Sequence, residues 1–274
     1  MAQTEADRLE TVRKLLAKAE SSTHPEEART FTAKAQELMT RWAIDDAMLA
    51  AAQSNVETTG RIDANIINVD ANEYRGPKIQ LLNTVALNND VRLVLIGKQR
   101  YIPDPSRPTG RRRVQVIEMI GTEKDRAWVE LLWTSLLAQA ESEFNLPETV
   151  RLMRDEMDWV EPNKRGGFRI RWHNTFMNGY CSGVQMNLAK ARRATVEAVT
   201  AEYGEASESV TLVLASKAQR VENELARRHP KLGRSNGSSA GQGSYDAHVA
   251  GRQAGERADV GRPRVGGNRP QLGG

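Results

Sequence analysis

At 274 residues the chain has enough material for one large domain or two small ones, and 27% charged against 5% aromatic residues suits a helix-rich fold. The single cysteine, Cys181, excludes an internal disulfide framework and fits a reducing cytoplasm; the acidic start MAQTEADRLE is unlike a secretory leader, and no run approaches about 18 uninterrupted apolar residues, so no membrane partner is expected. The net charge of +4 is unevenly spread, because residues 227–274 carry nine Lys or Arg against three acids, and a basic C-terminal stretch on a near-neutral body favours a polyanionic partner.

From the front, Leu9, Val12, Leu16 and Ala19 recur at three-and-four spacing, and so do Ala28, Phe31, Ala35, Leu38 and Trp42. These are the apolar stripes of two helices. Between them Ser22, Thr23, His24 and Pro25 form a stop and restart. Thr23 lies three residues before Glu26, as in a capping box, and Pro25 suits a first helical turn, where its missing N–H would be unpaired anyway. A helical hairpin is predicted. A short helix continues it, with Asp45 and Asp46 in its first turn, and the polar residues 53–60 make a linker. The following 62–69 reads as a strand or an extended connector. A helix then opens at Pro77, runs along Ile79, Leu82, Val85 and Ala86, and ends in the Asn88, Asn89, Asp90 cluster.

The clearest strand signals are VRLVLI at 91–96 and RVQVIEMI at 113–120, closed by Gly97 and Gly121. Between them KQRYIPDPSRPTGRR is too long for a tight turn and too polar for a core, so it reads as a protruding loop or β-arm. Thr122 caps a long helix to Phe144, with Val129, Leu132, Trp133, Leu136 and Ala140 on one face, and Pro147 stops it. A shorter helix over 148–159 and a turn at 162–167 follow. The next long helix, from Ile170, carries Trp172, Phe176, Tyr180, Val184 and Leu188, with Gly179 and Gly183 beside that stripe. A glycine costs about 1 kcal/mol in a helix interior. The two glycines therefore point to close approach of a neighbouring helix. VTLVLA at 210–215 reads as a buried third strand, and Ser216 starts a helix ended by Pro230. Beyond Gly233 the composition turns Gly-rich and flexible. Within it, 245–260 fits a small-residue helix whose Ala247, Gly251, Ala254, Gly255 and Ala258 suit contact with another backbone.

The fold class predicted is α+β, helix-rich: an N-terminal helical hairpin (1–52), a linker with a possible strand (53–76), a domain with a small, about three-stranded sheet packed by long helices (77–232), and a flexible basic tail (233–274).

The residues Arg13, Lys14, Leu15, Leu16, Ala19, Glu20, Glu27, Ala28, Lys34, Ala35, Glu37, Leu38 and Met39 follow a K-LL-A-AE helix, a polar turn, then EA, KA and ELM. Over about 35 residues this resembles domain-of-unknown-function family 2786. The resemblance implies a bacteriophage, prophage or actinobacterial setting, often with a longer partner domain behind. Trp172, Phe176 and Gly179 and the late Ala-Gly run resemble that partner domain. No catalytic residues come with the family.

The four histidines, His24, His173, His229 and His248, show no ligand spacing and there is no C-x-x-C, so no metal or cofactor is expected. His173 and Cys181 lie eight apart on one predicted helix, about 12 Å along its axis, too far for a thiolate–imidazole contact. No phosphate loop is present, and neighbouring acids such as Asp155 and Glu156 are ordinary on helix surfaces. No catalytic residue is assigned.

The strongest functional candidate is the arm between the strands. Lys98, Arg100, Arg107, Arg111, Arg112 and Arg113 surround Tyr101 with the single acid Asp104 among them, and three prolines stiffen it. Guanidinium forks match phosphate oxygens, and Tyr101 offers a face to a base. Non-catalytic nucleic-acid binding, to DNA or RNA, is the expectation. The rival reading is a protein–protein or assembly role, as a homo-oligomer or a binder of a host protein; a hydrolase whose site is assembled from distant residues is the third.

Overall fold

A computed structural model describes residues 5–21, 31, 34–35, 38, 42, 60–203, 206–233, 243–258 and 260. Strands β1 (Ile62–Asp70), β2 (Arg92–Pro103) and β3 (Arg111–Thr122) form an antiparallel sheet in the order β1-β3-β2. Around it are α1 (Glu5–Ser21), α2 (Arg75–Asn88), α3 (Glu123–Phe144), α4 (Pro147–Met157), α5 (Arg165–Tyr203), α6 (Ala206–Arg228) and α7 (Tyr245–Arg257). The helix-rich α+β class predicted from the sequence is the one observed.

The third strand is not the one predicted. Residues 210–215 lie inside α6, and the sheet is completed by β1. A short run of six residues, apolar but for Thr211, has no period that separates strand from helix. Here no glycine or proline divides it from the helical stretch that follows, so helix propagates back to Ala206. The imperfect alternation of 62–70 has a reason too: it is an edge strand, with Ile67 and Val69 buried on one side and Ile66 half exposed on the other.

Helices cover both sheet faces. Ile67, Val69, Ile117 and Met119 enter the main core with Leu81, Leu82 and Val85 of α2, Val129, Leu132 and Leu136 of α3, and Phe176 and Tyr180 of α5. The opposite face places Val94 and Ile120 against Val221 of α6. Each fully buried side chain of this size contributes about 1.5–3 kcal/mol.

Local signals explain the helix ends. Thr122 caps α3 as predicted, its Oγ1 accepting from the Asp125 backbone N–H at 3.2 Å. Asp125 is also where α6 is fastened: Lys217 Nζ lies 2.7 Å from its Oδ2, with both side chains buried. A buried pair of this kind adds little net stability, but removing one partner leaves the other uncompensated. The helix α5 begins at Arg165, before the predicted Ile170, because a single 3-10 turn at Pro162–Lys164 leads directly into it and Gly166 and Gly167 are tolerated in its first turn. At 39 residues it is about 58 Å long.

The close helix approach predicted at Gly179 and Gly183 of α5 is made by α7, at Gly251 and Gly255. A β-carbon on Gly251 would overlap the Phe176 carbonyl, and one on Gly179 the His248 carbonyl. The two backbones therefore touch, and Ala247, Ala254, Ala258 and Val260 are buried in the main core. Packed structure thus resumes within the stretch assigned to a flexible tail. Residues 234–242 and 261–274 lie outside the described residues.

The apolar stripes of the front hairpin meet on α3: Val12, Ala35 and Trp42 pack with Trp128, flanked by Leu15, Leu38 and Leu131. The Trp42 and Trp128 rings are 6.3 Å apart. The break at 22–25, the helix at 45–46 and most of the linker at 53–60 lie outside the described residues.

The C-terminal end of α6 is tied to the sheet by charge. Arg228 bridges Glu224 (2.6 Å), Asp63 (2.8 Å) and Glu118 (3.1 Å), and His229 Nε2 meets Glu118 at 2.6 Å. The hydrogen bond from Arg227, and with it that from Arg228, holds the Glu224 carboxyl down at about 2, against an ordinary value of 4.5. A carboxylate depressed in the folded state stabilises fully above its unfolded pKa and loses that contribution as pH falls through the folded one. Urea unfolding of the intact chain at pH 7, 4 and 3 should therefore show a fall in stability below pH 4.5 that is shallower in Glu224→Gln.

The glycine seam gives a second expectation. Gly251→Ala should lower stability by about 2–4 kcal/mol, since neither backbone can yield without opening the core. Gly166→Ala, where a β-carbon meets nothing within 4 Å, should be neutral or stabilising by up to about 1 kcal/mol. Chemical denaturation of both variants checks the contrast.

Candidate nucleic-acid interface

The segment between the two strands is a β-arm, not a loop. The strands β2 and β3 continue their pairing out to Pro103 opposite Arg111, and only residues 104–110 turn the chain. The pairing shifts register between Ile96 and Arg100, which makes a bulge containing Gly97, whose φ of 58 suits glycine. The turn is held by its own hydrogen bonds. Asp104 N–H donates to the Gly110 carbonyl at 2.9 Å, and the Ser106 N–H and hydroxyl both donate to Asp104 Oδ1. The Ser106 hydroxyl, with Arg107 and Arg112 adding their charge, holds the Asp104 carboxyl below its usual range.

The pairing of β1 with β3 ends at Asp70 opposite Val114, and the Ala71 N–H donates to the Arg113 carbonyl just beyond. Past that point the arm is a two-stranded ribbon. Its cations fall into two groups. Arg112 Nη1 is 2.6 Å from Asp70 Oδ1, and its Nε is 3.8 Å from Asp104; Arg107 lies 3.6 Å from Asp70 and 3.5 Å from Asp104. Two arginines and two aspartates thus form an internally neutral cluster.

The other four cations have no carboxylate partner among the described residues. Lys98 and Arg100 are exposed and have no ion-pair or hydrogen-bond partner among the described residues. Arg111 lies over the Tyr101 ring at 4.9 Å, and Arg113 donates only to the neutral Ala71 carbonyl, at 3.2 Å. Tyr101 pairs across the strands with Arg113, and Pro103 with Arg111, so the ring and both guanidinium groups share one face of the ribbon. Tyr101 is 61% exposed. Arg100 and Arg112 lie on the other face, opposite Val114 and Ile102.

All seven residues proposed from the sequence are therefore on the arm, and the structure divides them. What sequence reasoning missed is Asp70, whose acid is 42 positions from Arg112 and meets it only through strand pairing. The C-terminal basic stretch is divided as well: Arg227 and Arg228 bind Glu224, Arg252 binds Glu256 at 2.7 Å and Arg257 binds Glu143 at 2.9 Å.

Cys181 is buried against the Pro77 carbonyl, and desolvation pushes its thiol up to about 12, so it stays protonated at neutral pH. Among the described residues no group of three His, Cys, Asp or Glu is placed to hold a metal ion, and no helix is long and apolar enough to cross a membrane.

Residues 8–46 match the family model "Protein of unknown function (DUF2786)". The match covers the front hairpin and stops before β1. No curated protein and no solved structure matches the chain.

If Asp70 organises the neutral cluster, Asp70→Asn should loosen the arm without unfolding the protein. Amide exchange of the ribbon residues 111–113 should then quicken, while that of Ile117 and Met119 stays unchanged.

Proposed function

We propose that this chain binds nucleic acid non-catalytically through the outer face of the β2–β3 ribbon. The observation that carries the reading is the exposed Tyr101 ring flanked by Arg111 and Arg113 on one face, with Lys98 at the bulge below them exposed and without an ion-pair partner among the described residues. Arginine forks meet phosphate oxygens in bidentate geometry, and an exposed ring stacks on a base only when that base is free of a duplex. The preferred partner is thus single-stranded DNA or RNA, with phosphate contacts dominating affinity and stacking adding about 1–3 kcal/mol per base. Arg107 and Arg112 shape the ribbon in this reading and contribute little to phosphate binding. A bacteriophage or prophage setting is part of the proposal and is supported only by the resemblance of the front hairpin.

Arg111 and Arg113 on that face, with Lys98 at the bulge, set the salt dependence. A titration of a single-stranded oligonucleotide from low to physiological salt should give a log–log slope of about −2. The Arg111→Ala/Arg113→Ala variant should flatten that slope by about one unit or more, and Tyr101→Ala should weaken binding with the slope unchanged. A folded wild-type protein that ignores oligonucleotides at low salt would rule the proposal out.

A further inference from the structure

A cavity of about 410 Å³ opens where the end of α3, the inner face of α4 and the start of α5 converge. Its floor is apolar: Phe144, Val150, Met153 and Met157. Val150, Met153, Arg154 and Met157 follow the three-and-four spacing that puts them on one side of α4. Three arginines stand at the rim, Arg154 from α4 and Arg165 and Arg169 from α5. None of the three has a carboxylate within ion-pair distance among the described residues. Arg165 uses its Nε on the Val160 carbonyl at 3.1 Å and keeps its terminal nitrogens, while Arg154 and Arg169 are exposed. The first turn of α5 contains no acid.

The walls are held in place from behind. Glu156, on the adjoining side of α4, accepts from Trp172 Nε1 of α5 at 3.0 Å and from the Ser244 hydroxyl just before α7 at 2.5 Å. The gap between α4 and α5 is therefore a fixed feature of the packing.

We infer that this cavity is a binding site for a small amphipathic anion, a carboxylate carried on an aliphatic or aromatic body, with the body on the Phe144–Met153–Met157 floor and the head between Arg154, Arg165 and Arg169. Guanidinium groups match a carboxylate fork for fork, and methionine adapts to irregular apolar shapes. A nucleobase fits less well, because a buried heterocycle needs partners for its ring-edge donors and acceptors, and Asn145 is the one uncharged polar side chain in the lining. The site is separate in sequence and structure from the β-arm, and it does not depend on nucleic-acid binding.

Methyl-labelled methionine spectra of the full chain test it, since only eight methionines report. On titration with 4-phenylbutyrate, the Met153 and Met157 methyl signals should shift saturably, with a Kd of about 1 mM or tighter. The same-shaped cation 4-phenylbutylamine and adenosine monophosphate should leave both signals in place. Arg154→Ala/Arg169→Ala should raise the Kd at least about tenfold. Gly166 lies in the lining where a β-carbon meets nothing within 4 Å, so Gly166→Leu fills the cavity on an intact helix and should abolish the shifts while the remaining methionine signals stay where they are. Equal shifts with the amine, tighter binding of the nucleotide, or no shift up to about 10 mM phenylbutyrate would overturn the inference.

Discussion

Strand β3 is paired on both edges from Val114 to Ile120, save at the Gln115 bulge, and beyond the last bond from Ala71 to Arg113 it is paired on one edge only, at Arg111 and Arg112; that change along a single strand organises the molecule. Its inner part, with Ile117, Met119 and Ile120 fully buried, is the middle of the sheet and is covered on both faces by helices. Its outer part leaves the helical layers and carries arginine where the inner part carries aliphatic side chains. A short ribbon in water is marginal by itself. Here it is an extension of a strand whose other half is fixed by the core, so its cations are presented on a braced support.

The end of β1 also sorts the charge. Asp70 and Asp104 engage Arg107 and Arg112, leaving Lys98, Arg100, Arg111 and Arg113 without a carboxylate partner among the described residues. Exposed ion pairs contribute at most about 1 kcal/mol each, so the cluster matters less for stability than for which guanidinium groups remain available to a ligand. A similar contrast runs through the C-terminal region, where the helical arginines of 227–257 are matched to carboxylates. Net charge counted along the sequence therefore overstates what this surface offers and misplaces where it is offered.

Local chemistry was legible in the sequence. The Thr122 cap, the helix it starts, strands β2 and β3 and the close helix approach at Gly179 and Gly183 all follow from side-chain spacing that acts within a few residues or along one face, although the spacing does not say which helix arrives there. The third strand was not legible, because VTLVLA and 62–70 each lack a clean period and the choice between them is made by what packs against the sheet. For the candidate site, all seven residues were visible as a basic run, but the neutralising role of Asp70 depends on strand register. The arginines at the α4–α5 cavity, Arg154, Arg165 and Arg169, were passed over for a related reason: helix spacing places Arg154 on the same side as Met153 and Met157, yet nothing local says that α5 arrives opposite.

The sorting of arginines by β1 is read most directly from their side-chain Nε–Hε resonances during titration with a single-stranded oligonucleotide. The signals of Arg111 and Arg113 should move together and saturate, while those of Arg107 and Arg112 hold still. Movement of Arg107 and Arg112 to the same extent, or no movement at any arginine of the ribbon in the folded protein, would contradict it.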